Sequence, residues 1–370
     1  MSRLEFTRND RPTLGVEIEL QLVDAETFAL KNCILEVLER VPEGLRGRVK
    51  PELMQSYLEI NTEVCRDVGE VERDLREKLR AVDRAVRECG ARLCWAATHP
   101  FSPWHEQLVT PTERYYRLVD NLQQTARRLV TFGLHVHVGV DSGDKAVMIC
   151  DRLMRHLPTL LALSVNSPYW GGRDTGLHSA RSKVMEGLPT AGLPPLMRNW
   201  SEYVWLVNHL VQTKFIETIR EIWWDARPHN NFGTVEVRVC DMPADLSGVL
   251  ALTALVQSLV YRLSEQIDEG MYQFDCHPML VRQNKWRACR FGTEALLVDP
   301  YTLQVSSVRE MVEDLIPRLE PTARELGCAE HLARVRTLIE APMASARQRE
   351  VFQRTGDLRE VVKAFLYEGG

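Results

Sequence analysis

The chain is 370 residues long and carries 46 Lys+Arg against 51 Asp+Glu, a formal net charge of −5. Apolar residues make up 45% and charged residues 26%, which argues against a disordered or fibrous chain, and a pI near 6.1 gives no global attraction to nucleic acid or to an anionic membrane. No run approaches the ~18–20 uncharged apolar residues of a bilayer-spanning helix, and the charged start MSRLEFTRNDRP lacks the apolar centre of an export signal.

Thr13 to Val23 alternates Leu14, Val16, Ile18, Leu20 and Leu22 with Gly15, Glu17, Glu19 and Gln21, the period of a strand with one apolar and one polar face. Asp67 to Cys89 repeats Val68, Val71, Leu75, Leu79, Val82 and Val86 at helical spacing, and Gly90 follows as a stop. Arg92 to Ala97 predicts a buried strand, and Thr112 to Val130 a helix. Phe132 to Val140 alternates again, with His135, His137 and Gly139 opposite Leu134, Val136, Val138 and Val140. Lys145 to Val165 predicts a mostly apolar helix. Asn166 to Pro195, rich in Gly, Pro and Ser, predicts a long loop, a candidate active-site cover. A helix is expected over Asn199 to Lys214. Thr234 to Cys240 is a third alternating strand, with Thr234, Glu236, Arg238 and Cys240 on the face opposite Val235, Val237 and Val239. From Ala244 the chain is mainly helical, with a short hairpin expected near Arg290 to Tyr301. No linker interrupts residues 1–370, so one catalytic domain with a helical C-terminal part, 244–370, is expected. Nine cysteines, odd in number and without a CxxC, predict reduced thiols in a cytoplasmic protein.

Each alternating strand thus sets an unusual polar pair against its aliphatic row: Glu17 with Glu19, His135 with His137, Glu236 with Arg238. Like charges side by side on a strand repel, so Glu17 and Glu19 are a liability unless a cation sits between them. Glu52 and Glu59 lie seven apart, which on one straight strand would face them oppositely; a bend, bulge or turn between them is needed for them to converge. Five carboxylates with one or two imidazoles suit Mg²⁺ or Mn²⁺ rather than zinc. Open positions on such ions would suit a polyphosphate, and Arg238 would then stabilise charge on a transferred phosphoryl group. There is no GxxxxGK[ST], no GxGxxG after a strand and no GxSxG. Phosphate binding would therefore rest on metals and arginines.

The stretches TLGVEIELQLV (13–23), ELMQSYLEINTEVC (52–65), THPF (98–101), ERY (113–115), GLHVHVGV (133–140), ALSVNSPYWGGRDTG (162–176) and WWDARPHNNFGTVEVRVCDMP (223–243) carry a resemblance. The chain resembles the carboxylate–amine ligases of the glutamate–cysteine ligase type 2 family, within the glutamine synthetase superfamily. The resemblance implies an α+β fold, with a curved antiparallel sheet carrying the site on one face and helices on the other. It also implies ATP, Mg²⁺ or Mn²⁺, and an amide formed through an acyl-phosphate, with the γ-carboxylate of glutamate joined to cysteine.

Carried over by position, the metal ligands would be Glu17, Glu19, Glu52, Glu59, His135 and Glu236, with His137 a weaker match. Glu236 and Arg238 would act in catalysis, and Arg238, Arg227 and Arg181 would contact phosphate or a substrate carboxylate. The expected partners are small amino acids and amines, with no nucleic acid and no membrane; a homodimer is a family-level expectation. Tyr169, Trp170, Trp223 and Trp224 flank the motifs, as pocket or as core. The same acids also suit a metal-dependent hydrolase, or a sensor that binds nucleotide without turnover.

Overall fold

The computed structural model describes residues 4–273 and 276–369. Its centre is a seven-stranded sheet of β1 (Leu14–Asp24), β2 (Val49–Lys50), β3 (Tyr57–Asn61), β4 (Ala91–Cys94), β5 (Gly133–Gly139), β6 (Ala226–His229) and β7 (Thr234–Asp241). The order across the sheet is β6-β7-β5-β1-β3-β2, every pairing is antiparallel, and β4 pairs the far end of β1. The alternating stretches supply its three central strands, each setting an aliphatic row on the face that is packed on the core and a polar row on the other.

That apolar face (Val16, Ile18, Leu20, Leu58, Ile60, Val136, Val235 and Val237) is essentially inaccessible to solvent. The helices Val68–Glu88, Gly143–Leu153, Leu157–Ser164 and Leu246–Asp268 pack on the sheet. Asp67 caps the first of them, accepting the Glu70 N–H at 2.8 Å. One apolar cluster runs from Leu14 to Tyr367, so the C-terminal helices share the core of the sheet.

Several expectations are corrected. The expected Thr112–Val130 helix is Glu113–Leu122 followed by one turn, Gln124–Arg127, because Gln123 takes a positive φ of 47° between them. Lys145–Val165 is two helices, Gly143–Leu153 and Leu157–Ser164, the second with Pro158 in its first turn, where a missing N–H is harmless. The hairpin falls later, at Leu296–Val298 and Val305–Ser307, because a helix, Pro278–Phe291, occupies its expected start. The Leu246–Asp268 helix is, by length and mean hydropathy (1.5), apolar enough to cross a bilayer. The protein buries 78% of that stretch in its own core, which explains the composition.

The third alternating strand also departs from its sequence pattern. Val237 lies opposite Val136 but Cys240 lies opposite Leu134, so β7 carries one residue more than β5. This bulge at Arg238–Val239 reverses the facing beyond it. Cys240 turns to the apolar side, its Sγ 3.8 Å from the Leu160 carbonyl, and Asp241, opposite Gly133, turns to the polar side. No disulfide joins the cysteines among the described residues; eight are buried and Cys89 is partly so.

Candidate active site

The polar face brings the acids and imidazoles into register. Glu17 lies opposite His135 on one side and Asn61 on the other; Glu19 lies opposite Glu59; Glu236 lies opposite His137 and Arg227. Side chains directly opposite in a ladder share a face, so each pairing follows from the strand register alone.

Glu17 and His135 meet at 3.0 Å through Oε2 and Nδ1, and His135 Nε2 lies 3.7 Å from Glu19 Oε1. His137 shares a hydrogen bond of 3.0 Å between Nδ1 and Thr234 Oγ1. Its Nε2 lies 3.5 Å from Glu17 Oε1 and 3.9 Å from Glu236 Oε1, buried and without a hydrogen-bond partner. Glu236 is 1% exposed. Arg227 donates to it from Nε at 2.7 Å and from Nη2 at 3.3 Å, and Arg238 Nη1 donates to its Oε1. Ligand atoms of Glu17, His135 and Glu236 all lie within 4.8 Å of one another.

The remaining acids sit beside this group. Glu19 accepts from the Tyr57 hydroxyl at 3.1 Å and from the Gly133 N–H. Glu59 accepts from Asn61 Nδ2 at 2.7 Å, and Lys50 Nζ lies 3.7 Å away. Glu52 joins them because a turn, closed by the Tyr57 N–H on the Met54 carbonyl at 3.1 Å, separates it from β3. That turn is the bend which the odd spacing of Glu52 and Glu59 required.

The acids divide into two electrostatic classes. Burial works against ionisation of Glu17, but the hydrogen bond to His135 and the neighbouring His137 imidazole hold it well below the usual carboxylate range. Burial likewise opposes ionisation of Glu236, and Arg227, Arg238 and His137 hold it well below. Glu52 and Glu59 lack such compensation. Burial and the charge of Glu19 push Glu52 up to about 7. Burial and the charges of Glu17, Glu52 and Glu19 push Glu59 well above its usual value. A cluster that must either protonate or gain a cation fits a divalent metal, and so does a donor set of carboxylates with an imidazole. Glu17, His135 and Glu236 would hold the ion, with the Glu19, Glu52 and Glu59 carboxylates beside it.

The three arginines are placed differently from one another. Arg238 gives one Nη to Glu236, and its other nitrogens have no protein acceptor among the described residues. Arg227, expected at phosphate or a substrate carboxylate, commits Nε and Nη2 to Glu236 and Nη1 to the carbonyls of Ile219 and Ile222. Arg181, of which the same was expected, donates Nη1 to the Val239 carbonyl at 3.3 Å and Nη2 to the Arg238 carbonyl at 3.2 Å. It therefore clamps the bulge.

The expected cover, Asn166–Pro195, is largely built into the protein. Asp241, which the bulge turns to the polar side, accepts from the Asn166 N–H and from the hydroxyls of Ser167 and Ser179 at 2.7–2.9 Å. Arg181 follows on a short helix, Ala180–Met185, and the exposed part is a hairpin tip around Gly171–Gly176. Tyr169 and Trp224 are buried, while Trp170 and Trp223 are partly so.

Sequence reasoning did not single out Tyr57, Asn61, Thr234 or Gly133. Two of them were within reach: Tyr57, Glu59 and Asn61 share a face at period two. Gly133 opens the G-x-H-x-H stretch, where a Cβ would lie 2.2 Å from Arg181 Nη2.

Comparison with known proteins agrees with this architecture. The model of "Glutamate-cysteine ligase family 2" matches residues 13–364. A Gloeobacter violaceus protein named "Putative glutamate--cysteine ligase 2" is 45% identical over 363 residues, 97% of each chain. A Rubrobacter xylanophilus protein named "Putative glutamate--cysteine ligase 2-1" is 43% identical over 361 residues, 98% of this chain and 95% of its own. Among solved structures, the glutamate–cysteine ligase of Francisella tularensis in complex with AMP superposes with a TM-score of 0.68 at 12% identity, covering 97% of this chain and 88% of that one. A bifunctional glutathione synthetase from Pasteurella multocida gives 0.69 at 14% identity, covering 95% of this chain and 51% of that one. At that identity the likeness extends to the fold, an α+β ligase fold. Sequence and register lead to one conclusion: the chain belongs to glutamate–cysteine ligase family 2.

Proposed function

We propose that this protein is an ATP-dependent carboxylate–amine ligase that joins the γ-carboxylate of glutamate to the amine of cysteine. The observation that carries the reading is the convergence of Glu17, His135 and Glu236 within 4.8 Å, with the part-free guanidinium of Arg238 beside them. Family membership and the names of the relatives support the choice of reaction.

In this reading the substrate carboxylate attacks the γ-phosphorus of ATP and ADP leaves. The amine then attacks the acyl carbon, and inorganic phosphate leaves as the amide forms. Bound Mg²⁺ or Mn²⁺ would supply charge neutralisation on the phosphate oxygens. Arg238 turns its unpaired N–H groups toward the transferring phosphoryl group, where added positive charge matters most. Arg227 holds Glu236 in one orientation with two parallel hydrogen bonds. His135 and Thr234 fix Glu17 and His137 in turn. No side chain is needed as a nucleophile, so the protein's task is to position groups and balance charge.

The test is to supply ATP and Mg²⁺ with glutamate and cysteine, singly and together, and to read phosphate release alongside product mass. The reading requires a γ-glutamyl amide that appears only with both amino acids. Phosphate release indifferent to the amine and the acid would overturn it in favour of hydrolysis.

A further inference from the structure

Beside the acid cluster stands a pair of aromatic rings that the phosphoryl chemistry does not use. His229 follows Arg227 by two residues on β6 and lies opposite Thr234, so it shares the polar face with Glu236. Phe232, in the turn joining β6 and β7, stacks on His229 with ring centroids 4.2 Å apart and planes within 10° of parallel. His137 meets the two rings at steep angles, 5.5 Å from His229 and 5.7 Å from Phe232. A ring nearly equidistant from both members stands at the side of the stack and covers neither outer face. One face of Phe232 is taken by His229, yet the residue is 57% exposed, so its other face is open.

The turn that carries this ring is tied down. Asn9 Nδ2 donates to the carbonyls of Phe232 at 2.7 Å and Gly233 at 2.8 Å, and the Thr7 N–H donates to the Asn230 carbonyl at 2.9 Å. The Phe232 N–H donates to His229 Nδ1 at 3.3 Å, and the Gly233 N–H to the His229 carbonyl at 2.9 Å. An apolar ring in water gains nothing by its exposure, and this backbone leaves it no route inward. It is preorganised for a flat partner, whose stacking then costs little ordering.

Its place selects the partner. His137 Nε2 lies 3.5 Å from Glu17 and 3.9 Å from Glu236, the carboxylates that would hold the ion and with it the phosphates. A ligand with phosphates at the ion and a flat ring on an adjacent aromatic face is a nucleotide, and any base has a π-face to offer. We propose that Phe232, backed by His229, is the platform on which the base of the nucleoside triphosphate stacks. The proposal rests on the ATP-dependent reading above and adds where the base lies, at the β6–β7 turn.

The test is calorimetry on the full chain in Mg²⁺ with two ligands, ATP and tripolyphosphate, the second having phosphates and no base. Phe232→Ala should weaken ATP by about 10–100-fold and leave tripolyphosphate within about twofold. Phe232→Trp should bind ATP at least as tightly as the wild type. Its added indole fluorescence should be quenched by Mg²⁺-ATP and not by tripolyphosphate. Unchanged ATP affinity in Phe232→Ala, an equal loss for both ligands, or an indole that ATP leaves unquenched each overturns the proposal. The indole signal decides it even if the alanine variant does not fold. A wild-type chain that binds neither ligand defeats the ATP-dependent reading and this proposal with it. A wild-type chain that forms the γ-glutamyl amide while Phe232→Ala binds ATP normally defeats the proposal alone.

Discussion

Arg227 lies directly opposite Glu236 in the β6–β7 ladder and clasps it with two guanidinium nitrogens, at 2.7 and 3.3 Å. The pair makes Glu236 a fixed, ionised carboxylate inside the protein. A lysine at the same place would keep the charge and lose the fork. Arg227→Lys should therefore lower Mg²⁺ affinity by about 10–100-fold, the usual effect of removing a residue that orients a ligand. Activity measured against Mg²⁺ concentration checks this; an unchanged Mg²⁺ midpoint would show that Glu236 needs no such support.

Glu236→Gln removes the charge that Arg227, Arg238 and the ion would share. Phosphate release with both amino acids should fall by about 100-fold or more, while circular dichroism stays native because the amide is of equal size. Near-normal turnover would refute the placement of the reaction at β7.

Arg238→Gln tests the arginine with open donors. We expect the rate of the phosphoryl step to drop by about 100–1,000-fold. Glutamate KM should change little, because the residue is assigned to developing charge on phosphate. A rise in KM with kcat preserved would reassign it to ground-state substrate binding.

Glu52 and Glu59 make the metal-free protein pH-sensitive in a definite direction. Their folded-state values lie above the unfolded value of 4.5, Glu52 at about 7. The folded chain therefore binds more protons than the unfolded one in that window, and these groups cost stability as pH rises from about 4.5 through 7. A divalent ion takes the place of the protons and cancels the loss. The rise in melting temperature on replacing EDTA with Mg²⁺ should be larger at pH 8 than at pH 5. Equal increments at the two pH values would show that Glu52 and Glu59 do not sense the ion.

Gly133→Ala should destabilise the protein by about 1–3 kcal/mol. The new methyl would lie 2.2 Å from Arg181 Nη2, and Arg181 has little freedom to withdraw because it holds the Arg238 and Val239 carbonyls. Urea unfolding measures the loss. A neutral result would mean that the clamp on the bulge is soft.

The sheet and most of its polar face were legible because period-two alternation reports facing directly. Glu17, Glu19, His135, His137 and Glu236 follow from strand identity alone. What periodicity does not encode is an extra residue. The bulge at Arg238–Val239 leaves no trace in the pattern Val-Arg-Val-Cys, so Cys240 was placed on the wrong face and the tethering role of Asp241 went unseen. Arginines were the least legible residues. Their long side chains reach in several directions, and only the structure distinguishes Arg227 and Arg181, bound to protein acceptors, from the partly open Arg238. Length and glycine content made Asn166–Pro195 look like a cover, whereas Asp241 pins its root at three points.

The strand order has a consequence for biosynthesis. Glu17 and Glu236 are separated by more than half the chain, yet β5 alone stands between their strands. Until the ribosome has released β7, the nascent chain holds the carboxylates of β1 and β3 without the two guanidinium groups that arrive with β6 and β7. The site therefore closes late, after a long-range pairing that is slow to form. During synthesis the sheet therefore passes through an unfinished form with an unpaired edge at β5, the form most exposed to proteases and to aggregation.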